Sequence, residues 1–180
     1  MRDIMEGEQY MFDKEEKYKR MDEILNECEE NWKKGKYPFE PDPNRPRLIV
    51  SGAGMGGIEE KTIKVIEERG GAVVCYEGCC GISSRRRLVD EDESRDPYIR
   101  IAEKYIEVPC AVVSPNTRRM KQVEETISEW KADGIISITL HSCNPFAIET
   151  ENIKRVCEKC GIPLLHIETD FTEGLSLIHI

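Results

Sequence analysis

The first part of the chain alternates apolar and charged positions with the period of an α-helix. Apolar residues recur at spacings of 7, 3, 4, 3 and 4 at Met11, Tyr18, Met21, Leu25, Cys28 and Trp32. This spacing predicts an amphipathic helical segment over residues 1–36. Because a lone helix cannot bury its apolar face, we expect that face to dock on another part of the protein. Four prolines between Tyr37 and Pro46 then predict a linker.

From Arg47 onward, short apolar runs alternate with segments of helical period. The predicted strands are 47–51, 72–76, 110–113, 134–140 and 162–167, and the predicted helices are 58–69, 97–107, 116–131 and 145–160. This alternation is typical of an α/β domain with a doubly wound, mostly parallel, Rossmann-like sheet. Ligands of such domains bind at the carboxyl ends of the strands. Those ends carry Gly52–Gly57, Glu77–Arg87, Ser114–Arg118, His141–Asn144 and Glu168–Asp170.

Charge and cysteine content indicate which partners are disfavoured and in what state the thiols are expected. The 180 residues include 26 Lys and Arg against 35 Asp and Glu, a net charge of −9, which argues against nucleic acid or an anionic membrane as a partner. No stretch approaches the roughly 20 apolar residues of a membrane span, and we expect a cytoplasmic protein. Eight cysteines in a reducing compartment indicate free thiols or metal ligation rather than structural disulfides.

The segment Gly52–Gly57 matches the pattern G-x-G-x-x-G between a predicted strand and a predicted helix. Glu77 follows the next strand, 20 residues beyond Gly57. Together they match a dinucleotide-binding fingerprint, in which glycines admit a pyrophosphate and the acid binds a ribose hydroxyl. The alternative is a glycine-rich turn that binds no nucleotide.

Among the cysteines, Cys143 is the strongest candidate for a metal or cluster ligand. It lies between a predicted strand and a predicted helix, where the helix dipole favours a thiolate. The alternative is a small loop residue without such a role. Cys75, Cys157 and Cys160 are predicted to be packed thiols, and the spacing of the cysteines matches no standard zinc or iron–sulfur motif.

Two further features carry candidate chemistry. The run Arg85, Arg86 and Arg87 has the side chains for bidentate phosphate binding, and the alternative is pairing with the acidic run Asp90–Glu93. His141, two residues before Cys143, has the chemistry to donate to a ligand or to act as an acid–base group.

Six blocks taken together resemble a known family. They are RLIVSGAGMGG, GGAVVCYEGCCG, RRRLVDED, IAEKYIEVPCAVVSPNTRRM, WKADGIISITLHSCNPFAIET and GIPLLHIETDF. In this order they are similar to the C-terminal part of the 2-hydroxyacyl-CoA dehydratases, and more narrowly to the beta subunit (D-component) of the 2-hydroxyglutaryl-CoA type. The resemblance assigns residues 1–36 to the interdomain helical segment and 47–174 to the second α/β domain.

The resemblance implies an iron–sulfur lyase of anaerobic, amino-acid-fermenting bacteria. Such enzymes convert an (R)-2-hydroxyacyl-CoA to an enoyl-CoA by radical elimination of water, after an ATP-dependent iron–sulfur activator has injected an electron. Each enzyme is a heterodimer with a related alpha subunit, and each subunit is able to hold a 4Fe–4S cluster. Cys143 matches one cluster ligand, and the other two ligands come from a domain that this sequence lacks.

The resemblance also suggests roles for neighbouring residues. His141 and Ser142 would shape the surroundings of the cluster, and Arg85, Arg86 and Arg87 would bind the acyl-CoA substrate. The family binds no NAD in its Rossmann-like domains, which disfavours the dinucleotide interpretation. The rival interpretations are a benzoyl-CoA reductase-type subunit, a double-cubane reductase subunit, an NAD-binding Rossmann domain and a non-catalytic interaction module.

The last six residues carry a separate hypothesis. Leu175–Ile180 is the peptide that CTG TCT CTT ATA CAC ATC encodes, a sequence found in transposon ends used for sequencing libraries. We interpret these residues as adapter read-through and expect the α/β domain to be truncated at its C-terminus. On that interpretation, the isolated fragment is expected to be inactive.

Overall fold

The computed structural model describes residues 11–37, 42–52, 57–78 and 81–172. They divide into two compact units, and the division follows Asn44. Parts of several segments named from the sequence lie outside the described residues: residues 1–10 of the helical segment, 38–41 of the linker, 53–56 of the glycine-rich turn, 79–80 within Glu77–Arg87, and all of Leu175–Ile180. No helix in the described residues has the length and apolar content to cross a lipid bilayer.

Among its described residues, the first unit contains one helix, α1 (Lys14–Lys33), which lies within the predicted helical segment. It begins after Asp13, whose carboxylate accepts hydrogen bonds from the amides of Glu15 and Glu16 at 2.9 and 3.1 Å. Such N-terminal caps satisfy amides that have no partner within the helix. α1 carries the predicted apolar face. None of its residues is buried in the described structure.

The second unit is an α/β domain built on a parallel sheet, as the sequence predicted. The described strands are β1 (Arg47–Gly52), β2 (Ala72–Glu77), β3 (Gly134–Leu140) and β4 (Leu164–Thr169), in the order β2-β1-β3-β4. The helices are α2 (Gly57–Glu68), α3 (Ile82–Arg85), α4 (Pro97–Tyr105), α5 (Thr117–Trp130) and α6 (Asn144–Cys160). All strand pairs are parallel.

The central strands β1 and β3 are buried on both faces of the sheet. Successive strand residues point to opposite sides, so each of these strands contributes to the core on both faces. On one face, Ile49 packs in a cluster with Val123 of α5 and Ile153 of α6. On the other face, its neighbour Val50 packs in a second cluster with Ile66 of α2. This arrangement explains why the central strands are nearly continuous apolar runs.

The prediction of a strand at Cys110–Val113, the third of five predicted strands, was wrong. These residues form a turn, in which the amide of Val113 donates to the carbonyl of Cys110 at 3.0 Å. Val112 is 72% exposed, so the apolar run does not enter the sheet. Pro109 and Pro115 flank the run, and prolines cannot donate to a strand ladder. The sequence indicated neither a helix nor a strand in the polar stretch after β2, but this stretch contains the single-turn helix α3.

The strand order places a topological switch point between β1 and β3. The chain runs from β1 to β2 on one side and later returns to β3 on the other side of β1. The crevice outside the carboxyl ends of such strands is the usual ligand site of an open α/β sheet. Gly52 ends β1 with φ of 135°, and a Cβ there would collide with the carbonyl oxygen of Ile138 in β3. A glycine is therefore required where the two strand ends approach.

Replacing Gly52 by alanine is expected to destabilise the domain by about 3 kcal/mol or more, because the added Cβ requires β1 and β3 to separate. Gly161→Ala is the matched control, since Gly161 also has a positive φ, of 71°, but has no atom within 4 Å of the added Cβ. That control is expected to cost about 1 kcal/mol. Urea unfolding of both variants measures the difference, and equal losses would contradict the steric account.

Candidate functional site

A buried arginine lies at the carboxyl edge of the sheet. Arg119, in the first turn of α5, is 1% exposed. Its Nη2 lies 2.8 Å from Oε2 of Glu77, at the end of β2, and its Nη1 lies 3.6 Å from Oε2 of Glu149 in α6. The guanidinium carbon also lies 5.1 Å from the centre of the Phe146 ring, within the range of a cation–π interaction. A charge this deeply buried requires such partners.

Hydroxyl and amide groups complete the surroundings of these charges. Glu77 accepts hydrogen bonds from Ser51 Oγ at 2.5 Å and from Ser83 Oγ at 2.8 Å. Glu149 accepts one from Asn116 Nδ2 at 3.1 Å. We call this set the Arg119 cluster; its members are Ser51, Glu77, Ser83, Asn116, Arg119, Phe146 and Glu149. It joins β1, β2, α3, the N-terminal end of α5, and α6.

The Arg119 cluster makes Glu77 unavailable for the ribose-binding role that its spacing in the dinucleotide fingerprint suggested. Glu77 is 2% exposed, and its carboxylate already binds Arg119, Ser51 and Ser83. A ribose hydroxyl would have to displace these partners and leave the buried guanidinium without its closest carboxylate. Glu77 therefore has a structural role in place of the ligand contact that its spacing suggested.

The link from β3 to α6 contains His141, Ser142 and Cys143. The amide of His141 donates to the carbonyl of Thr169 at 2.8 Å, and the amide of Cys143 donates to the carbonyl of Leu140 at 2.9 Å. Ser142 adopts a positive φ of 65°, which closes the turn. Cys143 is the residue directly before α6, as predicted, and its side chain is half-buried. The N-terminus of a helix stabilises a thiolate or another negative group.

His141 pairs with a carboxylate on the neighbouring strand. Its Nδ1 lies 2.6 Å from Oε1 of Glu168 in β4. An ionised carboxylate only accepts hydrogen bonds, so Nδ1 carries the proton and Nε2 remains available to another group. Asp170 lies just beyond β4, and its pKa is lowered mainly by a hydrogen bond from the Thr172 hydroxyl. The predicted residues His141, Ser142 and Cys143 therefore share one edge with acidic side chains.

The three arginines lie elsewhere along that edge. Arg86 pairs with Glu129 at 2.9 Å, and Arg87 pairs with Glu107. Neither pairing involves the acidic run at residues 90–93, whose Asp90 instead binds Arg95 at 2.6 Å. The arginines follow β2, while Cys143 follows β3, and β1 lies between these strands. The structure thus does not place the arginines beside Cys143.

Two of the other cysteines are packed thiols. Burial raises the pKa of Cys75 to about 12 and that of Cys157 to about 11. Both thiols are therefore protonated near neutral pH, as expected of cysteines that pack as small apolar side chains. Within the described ranges, no three His, Cys, Asp or Glu side chains form a group that could hold a metal ion. This part of the chain therefore contains no complete cluster site, and a single thiol such as that of Cys143 supplies at most one of the ligands that a cluster needs.

Comparison with known proteins identifies relatives of this sequence. The family model described as 2-hydroxyglutaryl-CoA dehydratase, D-component, matches residues 1–175. The chain is 35% identical over 170 residues to a protein of Escherichia coli K12 named as dehydratase subunit YjiM, covering 94% of this chain and 43% of that protein. It is 27% identical over 168 residues to the (R)-phenyllactyl-CoA dehydratase beta subunit of Clostridium sporogenes, covering 93% and 42%. The chain spans less than half the length of these two relatives.

The Arg119 cluster was missed in the sequence, although a signal was present. Gln122, Val123 and Thr126 lie three, four and seven residues after Arg119, and all three are buried. This helical spacing assigns Arg119 to the inward face of α5. Nothing local identifies its partners, because Glu77 lies 42 residues away in the sequence.

Replacing Arg119 by methionine is expected to lower the free energy of unfolding by about 3–5 kcal/mol, because Glu77 and Glu149 then remain buried without their cation. The control is Arg155→Met on the exposed side of α6, where the side chain is 71% exposed and little loss is expected. Urea unfolding measures both variants. A loss for Arg119→Met within about 1 kcal/mol of the control would contradict the role of the cluster.

Alkylation of the native chain with iodoacetamide at pH 8, read by mass spectrometry, tests the packed thiols. Cys28 is exposed and is expected to react, while Cys75 and Cys157 are expected to remain unmodified. With a pKa near 12, Cys75 is a thiolate in only about one molecule in 10,000 at this pH. Its reactivity should rise only as the pH approaches that pKa. Full labelling in urea is the control, and rapid native labelling of Cys75 would refute its burial.

Proposed function

This chain belongs to the 2-hydroxyglutaryl-CoA dehydratase D-component family, and we propose on that basis that it provides the Cys143 side of a 2-hydroxyacyl-CoA dehydratase active site. The proposed reaction is the radical elimination of water from an (R)-2-hydroxyacyl-CoA to give an enoyl-CoA. The proposed partners are a related alpha subunit and an ATP-dependent iron–sulfur activator that supplies the electron. Both relatives are named as dehydratase subunits, which supports assembly with a partner.

The position of Cys143 carries the proposal. The thiol of Cys143 is half-buried, and the residue directly precedes a 17-residue helix. It also follows β3, one of the two strands at the switch point of the sheet. Cys143 would contribute one thiolate to a 4Fe–4S cluster, with the remaining ligands supplied from outside the described residues. When bound, such a cluster supplies a centre for one-electron transfer.

His141 and Ser142 would shape the polar surroundings of this thiolate. The hydrogen bond from Nδ1 to Glu168 fixes the orientation of the imidazole ring and leaves Nε2 free. The ring is largely exposed, at 69%, so Nε2 is accessible to an oxygen atom of a bound substrate. Ser142 holds the tight turn through which Cys143 reaches the helix terminus.

The decisive experiment is anaerobic reconstitution with iron and sulfide of the subunit expressed from its complete gene together with its partner. Cys143→Ala is expected to lose the cluster of this subunit, measured as iron content and as the visible and electron paramagnetic resonance spectra. Cys160→Ala is the matched control, because it removes a half-buried thiol from the opposite end of α6 and should leave the cluster unchanged.

Both variants are expected to fold, because neither side chain is fully buried. Circular dichroism verifies that they do. Uptake of the same cluster, with the same spectrum, by Cys143→Ala would contradict the ligand assignment. Loss of the cluster in both variants would contradict a ligand role that is specific to Cys143.

A further inference from the structure

A small cavity at the carboxyl edge, beside β2, is lined by an unusual concentration of positive charge. Its volume is about 150 Å³, and it lies between α3, the end of α4 and the first turns of α5. The cationic residues that line it are Arg86, Arg87, Lys104 and Arg118, against the single acid Glu107. The whole chain has a net charge of −9, so the cavity departs from its surroundings. Clefts lined by one sign of charge concentrate ions of the opposite sign.

Two of these cations have no carboxylate partner among the described residues. Arg118 donates from Nη1 to the carbonyl oxygen of Ile106 at 3.2 Å, and Lys104 Nζ lies 5.1 Å from the centre of the Tyr105 ring. A guanidinium group has five N–H donors in a planar fork, so Arg118 retains donors for an oxyanion. Arg86 and Arg87 are engaged by Glu129 and Glu107 and contribute mainly charge.

The floor of the cavity is polar and fixed. Ser83 and Gln122 line it, are buried, and hydrogen-bond to each other at 3.1 Å. Ser83 also donates to Glu77, which ties the floor to the Arg119 cluster. A preorganised floor lowers the cost of ordering side chains around a ligand. The volume corresponds to roughly five water molecules in the liquid, enough for a phosphate group with some of its water.

We propose that this cavity is a binding site for a phosphate-class oxyanion, held by Arg118 and Lys104 over the floor formed by Ser83 and Gln122. The run of three arginines singled out in the sequence contributes Arg86 and Arg87 to the lining of this cavity, but the two available cations, Lys104 and Arg118, come from α4 and α5.

The oxyanion has two plausible sources, a free phosphate compound or the phosphate groups of a coenzyme A thioester. The second source rests on the proposed function. β2 and β3 are separated by two strand spacings, roughly 10 Å, which an extended thioester can span to reach Cys143.

Isothermal titration calorimetry with pyrophosphate, at constant ionic strength, tests the site on the full chain. Saturable binding to one site is expected, and Arg118→Gln and Lys104→Gln are each expected to weaken it about tenfold by removing a charge-assisted hydrogen bond. The matched controls are Arg155→Gln and Lys64→Gln, which remove the same charges at exposed positions and should change the affinity by less than about twofold.

Thermal unfolding of all four variants verifies that they fold. The absence of saturable binding, or an equal loss in the control variants, would overturn the proposal, because the attraction would then be absent or would depend on net charge alone.

Competition with coenzyme A distinguishes the two sources. Displacement of pyrophosphate by coenzyme A, weakened in the same two variants, would support the site and assign it to the thioester. Binding of pyrophosphate that coenzyme A does not displace would support the site and assign it to free phosphate compounds. The readout is binding and not turnover, so failure here leaves the proposed dehydratase function to its own test.

Discussion

The buried guanidinium of Arg119 holds together the edge of the sheet at which every candidate residue lies. It is placed between Glu77, at the end of β2, and Glu149 and Phe146, in the first two turns of α6. Three charges with almost no access to water must keep their mutual geometry, because separating any one leaves an uncompensated charge in a medium of low dielectric constant. Since α6 begins directly after Cys143, this requirement also fixes the position of the candidate ligand.

The same cluster links two regions with different chemistry. On one side lies the turn from β3, with Cys143 and the pair of His141 and Glu168. On the other side lies the cationic cavity beside β2, whose floor residue Ser83 donates to Glu77. Both regions are therefore adjacent to the same set of buried side chains. The fold positions both regions through buried charge rather than through the loops alone.

Much of this architecture could be predicted from the sequence, because the signals are local. The central strands are apolar runs that end at polar residues, and Cys143 lies directly between such a run and a helix. The run Cys110–Val113 has the composition of a strand, and only the tertiary structure shows that it lies outside the sheet. Glu77 has the spacing of a ribose-binding acid, yet a partner 42 residues away binds it. Burial of a charge depends on such distant partners, which periodicity and spacing do not reveal.

Whether this chain is part of an acyl-CoA dehydratase can be decided by a reaction. The subunit expressed from its complete gene is combined anaerobically with its partner subunit, the activator, ATP and a panel of (R)-2-hydroxyacyl-CoA thioesters, and the products are identified by mass spectrometry. We expect ATP-dependent formation of an enoyl-CoA by loss of water from at least one thioester. Recovery of every thioester intact would contradict this proposal.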